Sequence, residues 1–102
     1  VKESEELKLR SEAERGARAA RLLEDSLFRE SFAEVERQMT EALINAPVRD
    51  TEGVQHLKLM IQCLRRVRAH VTKMAQTGRM ADTQLSRWDA AKSKLKRAIG
   101  GR

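Results

Sequence analysis

Apolar residues recur at alternating three- and four-residue steps along two long stretches of the chain. In Asp50–Gly78 the recurring positions are Leu57, Met60, Leu64, Val67, Val71 and Met74. In Ser26–Asn45 they are Phe28, Phe32, Val35, Met39 and Ala42. That period places each set on one face of a helix as a heptad-like seam, and no stretch shows the alternation of a half-buried strand. The ends of both helices are written in the sequence. Asp50 is an N-cap with Glu52 in the first turn, where the helix dipole favours a carboxylate, and Gly78 has the form of a left-handed stop. Asp25-Ser26 is a start signal before Leu27-Phe28. Pro47 ends the second helix, because it disfavours helical geometry at Ala46 and has no N–H to donate. So few residues separate Pro47 from Asp50 that the helices should fold back on one another as an antiparallel hairpin over residues 26–78.

The flanks read as weaker helices. Val1–Glu14 has only Leu7, Leu9 and Ala13 to bury after its first residue, so it should fray or take its order from a partner. Gly16 should weaken the helix locally, and Ala17, Ala19, Ala20, Leu22 and Leu23 form a small-residue face beyond it. Gly78–Asp82 reads as a second turn, with Asp82 capping a last helix, Thr83–Ile99. There Leu85, Trp88, Leu95 and Ile99 share a face interrupted by Lys92, before the tail Gly100-Gly101-Arg102. The expected architecture is therefore all-α: one domain made of a charged N-terminal helix (1–25), a long antiparallel helical hairpin (26–78) and a basic C-terminal helix and tail (79–102).

Composition sharpens this picture in two ways. With 35% charged residues and 3% aromatics in 102 residues, the helices must be long and narrow-cored, and a chain of this size alone buries little, so a homo-oligomer is expected. The charge is also divided unevenly. Residues 1–46 hold 8 Lys/Arg against 11 Asp/Glu, a net of −3, and residues 47–102 hold 13 against 4, a net of +9. Two readings follow. Glu30, Glu34, Glu36 and Glu41 of one hairpin arm could face the basic flanks of the other. Alternatively, Arg65, Arg66, Arg68, Lys73, Lys92, Lys94, Lys96 and Arg97 could meet a polyanion or an acidic partner. A single cysteine, Cys63, allows no internal disulfide, and no apolar run reaches the ~20 residues of a membrane span. A soluble protein that is not secreted is the expectation.

Candidate chemistry is sparse. His56 and His70 lie about 21 Å apart along one helix and cannot share a site within a chain. Cys63 has no histidine at helical contact spacing and reads as a small hydrophobe at the seam edge. Glu30 and Glu34 could share a face, but the Glu-x-x-His pairs of di-iron bundles do not occur. The glycines form no phosphate-binding spacing. The expectation is a protein with no catalytic residues, cofactor, metal or small-molecule substrate. Nucleic acid is the alternative partner: Arg65-Arg66-x-Arg68 and Lys92-x-Lys94-x-Lys96-Arg97 could neutralise phosphates. Against it, there is no helix-turn-helix pattern, and Trp88 is the only indole for base stacking.

Four strings add a resemblance: LLEDSLFRESF at 22–32, PVRDTEG at 47–53, LRRVRAHV at 64–71 and TGRMA at 77–81. Over residues 20–82 the chain resembles a group of small all-helical proteins of tailed phages and prophages. Members of that group often have proline where this chain has Ser26, which would make Asp25 a firmer helix cap; with serine there, a break at Asp25-Ser26 or a kinked helix running through are both open, and the break is the expectation. The resemblance implies a phage context, in the host cytoplasm or the virion, with a phage protein as partner. It brings no biochemical activity and no functional residues. The expected role is a non-enzymatic structural or assembly protein that oligomerises through its seams. The alternative is a DNA-binding packaging or regulatory factor resembling a small terminase subunit.

Overall fold

The computed structural model describes residues 3–100. Among these residues there are three helices and no strand: α1 (Glu3–Glu24), α2 (Ser26–Asn45) and α3 (Thr51–Gly100). The all-α class holds.

The caps form where the sequence places them. Asp25, in extended geometry, accepts a 3.0 Å hydrogen bond on its side chain from the Phe28 N–H, satisfying one of the donors that a helix start leaves open. α1 and α2 are thus separate helices. Ala46 is extended, at φ −66° and ψ 138°, as a residue before proline prefers. The Asp50 N–H then donates to the Pro47 carbonyl at 2.9 Å. Asp50 in turn caps α3, its carboxylate accepting from the Gly53 N–H at 3.0 Å.

Gly78–Asp82 is not a turn, however. α3 runs through it to Gly100, and no described residue has a positive φ. Asp82 is a mid-helix residue, not a cap, and Thr83–Ile99 is the end of α3 rather than a helix of its own. Glycine costs a helix about 1 kcal/mol relative to alanine but does not end it unless the chain turns left-handed there. The N-terminal segment is helical from Glu3 onward; Val1 lies outside the described residues, as do Gly101 and Arg102 of the predicted tail.

The chain divides into two compact units, one comprising Val1–Ala19 with Lys73–Arg102, the other Ala20–Thr72. In the first, the buried positions of α1 and α3 are mostly small, Gly16 and Ala19 from one side and Ala75, Gly78, Ala81 and the larger Leu85 from the other, with Leu9, Met74 and Trp88 half-buried. In the second, Ile61 is the one buried side chain, 7% exposed. Around it Phe28, Phe32, Met39, Leu43, Val54, Leu57, Leu64 and Val71 are half-buried. The Phe28 and Phe32 rings pack 4.6 Å apart at a 47° tilt, within the range where tilted aromatic pairs attract.

Candidate interaction surfaces

The apolar line of α2 and α3 is one step away from the expected seam. On α2, Phe28, Phe32 and Met39 are half-buried as predicted, but Val35 and Ala42 are exposed, and Glu36 and Leu43 take their places. On α3, Leu57, Leu64 and Val71 are half-buried, and so, within the first unit, is Met74. Met60 and Val67 are exposed, and Ile61 does the packing instead. A charged contact lies beside the observed line. Glu36 bridges to Arg65 at 3.1 Å and to Arg68 at 3.9 Å, next to the 57–61–64–68–71 line of α3.

The acidic arm and the basic arm meet through Glu36 alone. Glu34 and Glu41 are held within α2 by Arg37, at 2.7 Å each, and Gln38 also donates to Glu34 at 3.1 Å. Their hydrogen bonds leave Glu34 with a pKa of about 2, from an ordinary 4.5, chiefly because the Arg37 guanidinium donates to the ionised carboxylate. Arg37 is raised in turn by Glu34. Arg66 is exposed, without a carboxylate in bridging range among the described residues. Between α2 and α3 this charged side carries an open groove of ≈ 550 Å³, with Glu36, Arg37, Glu41 and Arg68 in its walls.

In the first unit the glycines are a contact, not a weakness and a stop. A Cβ on Gly16 would meet the Gly78 Cα and stand 2.9 Å from the Met74 carbonyl oxygen; one on Gly78 would meet the Gly16 Cα and stand 3.0 Å from that of Glu12. The neighbours are backbone and cannot swing aside, so only glycine permits this approach. Sequence reading missed the pair, although a signal was present: Ala13, Gly16, Ala20 and Ala75, Gly78, Ala81 are small residues at three- and four-residue spacing. Of the predicted small-residue face, Ala19 is buried, but Ala17 and Leu22 are exposed.

Near the α1 start, Glu6 accepts from Arg10 at 2.8 Å and pairs with Lys92 of α3 at 3.5 Å. The Arg10 hydrogen bond, then the Lys92 charge, lowers its pKa. Past that point α3 has nothing buried. Leu95 and Ile99, expected on the face of Leu85 and Trp88, are 61% and 65% exposed. Lys94, Lys96 and Arg97 are exposed around them, as is Lys73 nearer the glycine contact. A groove of ≈ 800 Å³ runs past Met80, Gln84 and Trp88, but all its lining residues belong to α3. With no opposing wall, it lacks the enclosure that small-molecule sites have.

His56, His70 and Cys63 are all exposed. Among the described residues no three of His, Cys, Asp and Glu come together in a way that could hold a metal ion. No helix is long and apolar enough to cross a membrane. Compared with known proteins, the chain matches no family model, no curated protein and no solved structure.

Proposed function

We propose that this chain is a non-enzymatic helical association module, and that it serves as a structural or assembly protein of a tailed phage. The phage context comes from the resemblance of residues 20–82. The association reading is carried by one observation: the described chain buries only five hydrophobic residues, Ala19, Ile61, Ala75, Ala81 and Leu85, and three of those are alanines. Twelve larger apolar residues stand exposed, from Leu7 to Ile99. In this reading α2 and the start of α3 form an antiparallel hairpin, and its neighbours in the assembled state supply the missing core. Stability should then depend on protein concentration, as it does for any fold completed by association. Urea unfolding followed at dilute and concentrated protein tests this. A midpoint independent of concentration, with no complex formed with capsid, portal or tail proteins, would count against association.

A DNA-binding packaging or regulatory factor is the second reading, favoured by the exposed Lys94, Lys96 and Arg97 at the end of α3. Arg65, Arg68 and Lys92 are weaker candidates for phosphate contacts than their sequence suggests, since Glu36 and Glu6 already engage them. On this reading duplex DNA binds at ~50 mM salt, and changing Lys94, Lys96 and Arg97 to alanine flattens the salt dependence by about 3 counterions. Absence of binding at that salt removes it.

A further inference from the structure

The association reading leaves open which face is covered and by what; the second unit offers an answer to both. The Glu36–Arg65 bridge marks one side of the packed α2 and α3 segments as charged. The other side carries a strip without charged residues. On α2 it is Leu27, Ser31, Val35, Gln38 and Ala42, at steps of three and four. On α3 it is His56, Met60, Cys63, Val67 and His70. At about 100° per residue, Val35 is a quarter-turn or so from Glu36 and Met60 is further still from Arg65, which sets both strips opposite the bridge. All ten positions are exposed. None is Asp, Glu, Lys or Arg, although 35% of the chain is charged and about three or four charges would be expected among ten exposed positions. Depletion of charge, with Met retained, is the compositional mark of an interface centre.

We infer that the occupant of this face is a second copy of the same chain, packed helix pair against helix pair about a two-fold axis. Two chains of net charge +6 repel one another, and a strip without charges is where they can approach with no like-charge contact. A two-fold contact also sets one patch against itself, which a strip of Val35, Met60, Cys63 and Val67 allows without a charge to mismatch. The size fits a reversible contact. From Leu27 to Ala42 the α2 strip is about 22 Å long, and two helices side by side are about 20 Å wide, so the two copies together cover ~900 Å², the size of a weak, concentration-dependent interface.

The test uses the full chain and two readouts: mass by light scattering, and the rate at which Cys63 reacts with a disulfide dye. Wild-type protein is expected at twice 11.6 kDa, with Cys63 reacting about tenfold more slowly when concentrated than when dilute, since covered thiols react slowly. Val67→Glu should give a helical monomer with fast Cys63 at every concentration. Ile44→Glu, exposed in the wall of the charged-side groove, should leave the dimer intact. A dimer that persists in Val67→Glu with Cys63 fast throughout overturns this face while leaving association standing. A wild-type monomer at all concentrations overturns the second copy as occupant, and association is then decided by complex formation with phage proteins. Should Val67→Glu unfold, the concentration dependence of Cys63 in the wild type still decides the matter.

Discussion

Gly16 and Gly78 are the residues whose replacement should say most about the packing of α1 on α3. In an open helix, glycine to alanine gains about 1 kcal/mol. Here the new methyl would strike backbone, so Gly16→Ala and Gly78→Ala should each destabilise by about 1–3 kcal/mol in urea unfolding, as overpacked sites do. Gly100→Ala is the control: nothing lies within 4 Å of its added methyl, so it should not destabilise. The caps behave more simply. Asp25→Ala leaves the Phe28 N–H without its acceptor and should cost about 1 kcal/mol, read by circular dichroism on urea titration. Glu34 carries an acid-sensitive contact within α2. Its folded pKa, about 2, lies below the ordinary 4.5. Its contribution is therefore full above about 4.5 and is lost as pH falls towards about 2. In Arg37→Gln, the NMR titration midpoint of the Glu34 carboxyl should rise towards the ordinary value.

At the scale of elements, the seam of α3 can be tested by paired truncations at a concentration where the chain is monomeric. Ile61→Ala should cost about 2–4 kcal/mol, because it empties the one buried side-chain position of its unit. Met60→Ala, one residue earlier, should cost less than about 0.5 kcal/mol. The reverse order would restore the 57–60–64–67 seam. The reason sequence favoured that seam is instructive. Lines through Met60 and Val67 or through Ile61 and Arg68 both flank Leu57, Leu64 and Val71. Counting apolar residues selects the first, because an arginine looks like an interruption. The structure has the second, with Glu36 within reach of both Arg65 and Arg68, and a period cannot register a charge partner on another helix. The same blindness turned Gly78 into a stop. Glycine ends a helix or lets two backbones touch, and only the residue opposite decides which. What depends on neighbours in the chain was legible: the Asp25 and Asp50 caps and the end of α2 ahead of Pro47. What depends on residues far along the chain, namely the glycine contact, the seam phase and the continuity of α3, was not.

For the molecule as a whole, we propose that too little apolar surface is buried within one chain for it to act alone. The phage role rests on the resemblance of residues 20–82. Among the described residues the acidic and basic halves meet through Glu36 and through Glu6, which leaves the end of α3 as the strongest candidate for a polyanion. The central claim is that the fold is completed by association. Its most direct measurement is the urea midpoint of the full chain at protein concentrations differing about a hundredfold, with the mass determined by light scattering at each. The account predicts a higher midpoint at the higher concentration, since a dimer gains about 2.7 kcal/mol for each hundredfold rise in concentration above its dissociation constant, and a mass above 11.6 kDa. One midpoint and a mass of 11.6 kDa at both concentrations would contradict it.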